Sequence, residues 1–268
     1  GDIKRRTAGL VGAAWVCEGF LLCLLPSFAA ETALPIAETA LPINDPAKAL
    51  RDALKLEDPV AAAARFAALS GKFEIIADHA SLLRSQKLAE AGLHKEAASA
   101  AEAALDRYAE SPLRADFEEV LGTARAALAD EEGARQAWSD GIRLTRDSER
   151  KARMRIAVAS SLERSGELED ALRVYRKVWT RHASTDQAEL AEQRLDALER
   201  EPGATPRSAT DWRKRADQLF RKRNNAEALL AYDKAISGKL KISERNRAQK
   251  QRAHLLFRMR DYSAAVQA

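Results

Sequence analysis

Four histidines, His79, His94, His182 and His254, are the side chains of this sequence best suited to metal chemistry, and their dispersal argues against a metal cluster. No two stand four apart and none has a cysteine partner, so no metal ligand set forms and no cofactor is expected. Phosphate chemistry would need a Gly-Lys-Ser/Thr loop, serine hydrolysis a Gly-x-Ser-x-Gly elbow, and dinucleotide binding a glycine fingerprint; none occurs. Carboxylates are plentiful, but in a helix-rich chain they serve mainly as surface partners of Arg and Lys. The remaining concentration of functional groups is cationic. From Glu201 onward 16 Lys and Arg stand against 7 Asp and Glu. Arg213, Lys214, Arg215, Arg221, Lys222 and Arg223 form the candidate ligand-contact patch, followed by Arg245 through Arg252. Such a patch attracts a polyanion or carboxylate-bearing cell-wall peptides, or else is the solvated outer face of helices.

The elements that would position these groups are set by a beat of alanines. Ala97, Ala134, Ala171, Ala228 and Ala265 are separated by 37, 37, 57 and 37 residues. The long step contains the breaker stretch Glu201-Pro202-Gly203-Ala204-Thr205-Pro206. Twelve residues before the anchors lie Ser85, Gly122, Ala159, Ala216 and Ala253, all small, and nine before lie Leu88, Arg125, Leu162, Leu219 and Leu256. Four after lie Ala101, Trp138, Tyr175 and Tyr232; seven after, Ala104, Gly141, Val178 and Ala235. Small residues let two antiparallel helices approach, and large ones at helical spacing fill the groove between hairpins. Gly92 and Gly166, five before their anchors, suit the turns. The expectation is an all-α solenoid of antiparallel helical hairpins with a period of about 37 residues, no sheet, and turns near Gly92, Asp130, Gly166, Arg223 and Arg260.

This spacing resembles the tetratricopeptide repeat. The clearest copy runs from Ser165 to Tyr175, and the segment Asn225 to Ile236 is nearly as good. The period of 37, Ala101 in place of an aromatic, and Arg125 at an apolar position depart from the family pattern. The resemblance covers roughly Ser81 to Ala268, with a weaker helical lead-in from Pro46 to Ser70. Repeats are expected over 47–200 and 211–268, with a breaker linker at 201–210.

The first residues concern address. Lys4-Arg5-Arg6 precedes an apolar stretch from Ala8 to Phe28, with small residues at the cleavage positions of Ser27-Phe28-Ala29. This is the layout of a secretory signal peptide over 1–29; an uncleaved anchor is the rival, opposed by Glu18 and Pro26. Cys17 and Cys23, the two cysteines of the chain, fall inside that segment, so a mature form has neither disulfide nor thiolate zinc site. Residues 30–46 contain the duplication Glu31–Ala37 and Glu38–Asn44, whose prolines favour an extended tether. Asp45-Pro46 then has the form of a helix cap and first turn. The location expected is periplasmic, in a Gram-negative cell, with membrane contact through the signal segment alone. Nucleic acid is a poor partner, since the aromatics fall on packing positions.

An exported, alanine- and arginine-rich train of degenerate hairpins also resembles the N-terminal superhelical region of Slt-type soluble lytic murein transglycosylases. That resemblance implies a non-catalytic scaffold on peptidoglycan, with a lysozyme-like domain following it. The family's catalytic glutamate lies in a Glu-Ser pair with a Gly-Leu-Met-Gln signature. Glu110-Ser111 is followed by Pro112-Leu113 and no such signature occurs, so no residue here is assigned a catalytic role. The chain stops three residues past Ala265, in mid-repeat, and on this reading it is a fragment whose catalytic domain lies beyond Ala268. The alternative is a free-standing periplasmic adaptor that binds a protein or peptide in its concave groove.

Overall fold

The computed structural model describes residues 45–267. The signal-peptide reading of 1–29, the tether as far as Asn44 and both cysteines lie outside these residues, while Pro46, expected to end the tether, already opens the first helix. Among the described residues there is no strand. The elements are α1 (Pro46–Leu54), α2 (Pro59–Lys72), a 3-10 turn (Glu74–Ile76), α3 (Ala77–Glu90), α4 (His94–Arg107), α5 (Arg114–Ala127), α6 (Glu131–Leu144), α7 (Ser148–Arg164), α8 (Leu168–Arg181), α9 (Asp186–Leu198), α10 (Ala209–Arg221), α11 (Asn225–Ser237), α12 (Ile242–Arg258) and α13 (Tyr262–Gln267). From α1 to α9 each helix packs on the next, and so do α10 to α13, while α10 also rests on α8. The chain is an all-α solenoid of helical hairpins, as the alanine beat predicts.

Local chemistry explains where helices start. Asp45 and Asp58 accept backbone hydrogen bonds at N-caps, and each is followed by proline at the first helical position. Ser208 and Asp211 form a reciprocal capping box. That box starts α10 at Ala209, so the breaker stretch expected over 201–210 occupies 199–208 between helices.

Where hairpins turn, the geometry repeats on the alanine beat. Left-handed backbone occurs at Gly92, Ala129, Gly166, Arg223 and Arg260, with φ of 75°, 63°, 78°, 62° and 65°. Each lies five residues before its anchor. The turn expected near Asp130 therefore has its left-handed residue at Ala129, where no glycine advertises it. Leu93 N–H donates to Leu88 O (2.9 Å) and Gly92 N–H to Ala89 O (3.0 Å). The same wide bond recurs from Asp130 to Arg125, Glu167 to Leu162, Asn224 to Leu219 and Asp261 to Leu256, at 2.9–3.0 Å. All five turns are thus Schellman motifs, in which orphan helix carbonyls are satisfied and the chain reverses within three residues. Arg125, out of place as a core residue, serves this turn: its side chain pairs with Glu102 (2.6 Å) and donates to the Gly133 carbonyl (3.2 Å).

Packing follows the same register. Ala97, Ala134, Ala171 and Ala228 have no exposed surface, and neither do Ser85, Ala159 and Ala216 twelve residues earlier. A Cβ at Gly122 would stand 2.5 Å from Trp138 Nε1, so the indole four residues past Ala134 requires a glycine beneath it. Tyr175 and Tyr232 are fully buried with satisfied hydroxyls: Tyr175 donates to Glu163 (3.1 Å), Tyr232 to Asp217 (2.8 Å). The last anchor differs. Ala265 is only half-buried.

The long step of 57 residues is filled by α9 and its following loop. The joint is an aromatic–guanidinium cluster. Trp179 and Trp212 meet edge to face at 4.6 Å, with Arg207 lying 5.0 Å and 5.5 Å from their centroids. Arg207 is in turn held by Glu199 (3.0 Å) and Glu192 (3.8 Å), so the loop is bolted back across α9.

Three pairs of variants test this register by urea denaturation. Ala129→Gly and Arg223→Gly should each stabilise by about 1 kcal/mol, since non-glycine residues in left-handed backbone carry a penalty of about 1–2 kcal/mol. Gly92→Ala and Gly166→Ala should each lose about as much; a methyl there meets nothing within 4 Å, so the cost is conformational. Tyr175→Ala and Tyr232→Ala should each cost about 3–5 kcal/mol. A loss below about 0.5 kcal/mol for either tyrosine contradicts the register.

Candidate binding surface

The six cations singled out in the sequence do not share one surface. Arg215 is buried. Its Nη1 donates to the Trp179 carbonyl (2.9 Å), its guanidinium lies 4.9 Å from the Trp179 ring, and Glu192 and Glu227 pair with it at 3.5 and 3.6 Å. Burial pushes its pKa down and the two glutamates pull it back up, so it is a charge neutralised within the fold. Arg213 is held by Asp217 (2.7 Å) and Glu244 (3.2 Å), with its Nε buried and unpartnered. Lys214 is exposed, 3.9 Å from Asp211. Arg221, Lys222 and Arg223 end α10 and form the exposed turn into α11. The structure therefore brings four of the six to solvent and spends two on joining helices. The register alone does not announce this: thirteen residues before their anchors lie the exposed Arg84, the buried Leu121, the half-buried Val158 and Arg215.

A second surface is formed by the first helices of successive hairpins. Here α3 touches α5, and α7 touches α9. Ion pairs stitch these helices at regular sequence distance. Arg150 pairs with Asp116 (2.5 Å) and Arg153 with Glu119 (3.2 Å) across α5 and α7. Glu163 pairs with Arg194 across α7 and α9, and Arg213 with Glu244 across α10 and α12. Between α7 and α9 the side chains of Ser160, Glu163, Arg164 and Arg194 line an open groove of about 320 Å³. Its floor is fixed from below by the Tyr175 hydroxyl, 3.0 Å from Ser160. Arg164 donates to Glu131 (2.7 Å), and that bond holds the Glu131 carboxyl below its ordinary range. The groove presents both charge signs on rigid helices, which suits hydrogen-bonding recognition rather than bond breaking.

A larger depression of about 530 Å³ is bordered by Glu74, Ile75, Asp78, Tyr108, Glu110 and Ser111. It includes the Glu-Ser pair. Ser111 donates to Asp78 (2.7 Å) and accepts from the Leu113 backbone (3.1 Å), so it ties the α4–α5 loop to the first turn of α3. Burial raises the Asp78 pKa, but hydrogen bonds from Ser111 and His79 outweigh it and keep the carboxyl ionised. That is the loop role the sequence suggested for Ser-Pro. Among the described residues no three His, Cys, Asp or Glu side chains converge as a metal site requires, and no helix is long and apolar enough to cross a membrane.

One titratable residue that the sequence reading set aside for want of a metal partner is His182, the C-cap of α8. It is buried at 7% exposure, with Nδ1 2.9 Å from Ser148 Oγ and Nε2 2.5 Å from Arg155 Nη1. Arginine only donates, so Nε2 accepts and Nδ1 carries the proton toward Ser148. Burial first, then Arg155, Arg181, Lys151 and Lys177, lower its pKa to about 4.

No family model matches the chain, and no curated protein matches it. Among solved structures it is similar to a tetratricopeptide repeat protein from Parabacteroides merdae, with 15% identity over 82% of this chain and 88% of that one and a TM-score of 0.46. It is similar to the TPR2AB domain of yeast Sti1 in its pHSP90 complex, with 16% identity, 83% and 86% coverage and a TM-score of 0.40. A putative Podospora kinesin light chain with nearly identical TPR-like repeats gives 13% identity, 70% and 90% coverage and a TM-score of 0.33. These are likenesses of helical-repeat architecture.

Charge reversal separates the buried from the exposed cations. Arg215→Glu should destabilise by about 3–5 kcal/mol, because it buries an unpaired carboxylate beside Glu192 and Glu227 in place of the guanidinium that paired with them. Lys214→Glu, one residue away, should change stability by under about 0.5 kcal/mol. His182 provides a pH test. The unfolded imidazole takes its proton near pH 6.5 and the folded one only near pH 4. Between those values the unfolded state binds more protons, so stability falls as pH drops from about 6.5 to 4 and is indifferent to this group above 6.5. His182→Gln should flatten the stability curve in that window relative to the parent chain, read from urea midpoints. Parallel curves would contradict the assignment.

Proposed function

We propose that this chain is a non-catalytic scaffold that holds a protein or peptide partner against the face formed by the first helices of its hairpins. The observation that carries this reading is the groove of Ser160, Glu163, Arg164 and Arg194. It is open, lined by both charge signs, and held on helices whose own packing is already satisfied beneath it. An extended peptide carrying polar side chains could meet several such positions at once, which is how modest contacts sum to useful affinity.

The narrower form of the proposal is an exported scaffold that holds peptidoglycan for a lytic transglycosylase domain. Its support is the sequence resemblance, the signal-like residues 1–29, and the exposed Lys214, Arg221, Lys222 and Arg223, which could face stem-peptide carboxylates. Arg213 and Arg215 add nothing to it, being spent inside the fold. On this reading the protein works in the periplasm and the present residues cleave no glycosidic bond.

Selection of random peptides against the chain tests the broader reading. Selected binders should protect α7 and α9 in hydrogen exchange, and Arg194→Glu, which breaks the Glu163 pair, should weaken them about tenfold or more. Binders that map elsewhere, or ignore Arg194→Glu, contradict it. Sedimentation with peptidoglycan sacculi tests the narrower one. Binding should be lost as salt rises and on reversal of Lys214, Arg221, Lys222 and Arg223. Absence of binding at low salt removes that reading and leaves the peptide scaffold standing.

A further inference from the structure

The open end of the α7–α8 hairpin, opposite the Gly166 turn, carries four cations that make no ion pair, although Asp147 caps α7 there and Glu149 follows it. Lys151 and Arg155 stand one turn apart on α7, and Lys177 and Arg181 one turn apart on α8. Their sequence neighbours Arg150, Arg153, Arg173 and Arg176 each meet a carboxylate. Among the described residues Lys151, Arg155, Lys177 and Arg181 meet none. Instead they act on one another. Arg155 is half-buried and its guanidinium is disfavoured first by burial and then by Arg181. Lys177 is likewise disfavoured by burial, Arg155 and Arg181. His182 accepts from Arg155 and so fixes its direction, but a neutral ring cancels no charge.

Corresponding places in two other hairpins carry no cation. Arg155 lies sixteen residues before Ala171; sixteen before Ala134 lies Glu118, which is half-buried and answered by Arg114, Arg125 and Arg143. Sixteen before Ala97 lies Ser81, whose hydroxyl is 3.4 Å from Tyr108. The helix dipole accounts for only half of the cluster. Lys177 and Arg181 end α8, where cations are favoured, but Lys151 sits in the first turn of α7, where they are opposed. A like-charge cluster with a half-buried, oriented arginine at its centre is stabilised by an anion supplied from outside.

We propose that this end of the α7–α8 hairpin is a binding site for a phosphate group, gripped between Lys151 and Arg155 on one helix and Lys177 and Arg181 on the other. One carboxylate would leave three of the four cations unanswered, whereas a doubly charged oxyanion with several acceptor oxygens meets both helices at once. The site lies away from the α7–α9 groove and does not depend on the partner proposed there. The phosphate comes either from a small free ion or from a phosphorylated residue of a partner.

The test uses the His182 imidazole as an internal probe. Its titration is followed by NMR in the full chain at constant ionic strength, with pyrophosphate or chloride as the anion. Pyrophosphate, multiply charged across this pH range, should raise the His182 pKa from about 4 by about one unit or more, and chloride should not. Lys177→Gln with Arg181→Gln, both at exposed positions, should weaken the pyrophosphate response about tenfold or more while the fold persists. An identical His182 response to chloride and pyrophosphate overturns the site, and so does an undiminished response in the double variant. A phosphoserine peptide that binds more tightly than free pyrophosphate assigns the group to a partner; a peptide that binds no better assigns it to a free ion.

Discussion

The close approach of two helices over a pair of small residues is the constraint on which the rest of this molecule depends. In each well-formed hairpin an alanine with no exposed surface faces a Ser, Gly or Ala twelve positions earlier, and the backbones meet there. Nothing larger fits, as the indole of Trp138 lying where a Gly122 side chain would go makes plain. The large side chains are thereby displaced to the edges of the contact. There Tyr175, Trp179 and Tyr232 fill the groove toward the next hairpin. Burial thus passes from hairpin to hairpin, and no single one forms a core alone.

The turn is the second half of the same device. Because the left-handed residue always falls five before the anchor, the turn sets the depth at which the second helix meets the first. Ala129, Arg223 and Arg260 hold that conformation without being glycine, which shows that the register prevails over local preference. The strain is modest beside the burial it secures. The inserted α9 adds an electrostatic joint to the apolar one: its Ala191, Leu195 and Leu198 join the core around Trp179, while Arg207 lies against two tryptophans and pairs with Glu192 and Glu199.

Much of this was legible in the sequence because small residues at fixed spacing leave a periodic record. The anchors, the tyrosines and the turns at Gly92 and Gly166 could be read directly. Ala129, like Arg223 and Arg260, could not be read by residue type, only by counting back from its anchor. The fates of the cations were less visible. Arg213 and Arg215 look like patch members when charge is counted along the chain, yet helical phase turns them inward toward Glu244, Glu192 and Glu227. Lys151, Arg155, Lys177 and Arg181 are two separate pairs in sequence, and only the hairpin brings them together around His182. Charge composition records how many cations exist; pairing decides which remain available to a ligand.

The close approach itself can be tested at one anchor. Ala171→Leu places three extra carbons where the α7 and α8 backbones meet, and Arg173→Leu places a leucine two residues on, at a side chain 74% exposed. Thermal unfolding of both variants, followed by circular dichroism, gives the decisive comparison. The account predicts that Ala171→Leu destabilises by about 1–3 kcal/mol through overpacking, with Arg173→Leu within about 0.5 kcal/mol of the parent. Equal midpoints for the two variants would contradict it, since the hairpin would then not depend on a small residue at its centre.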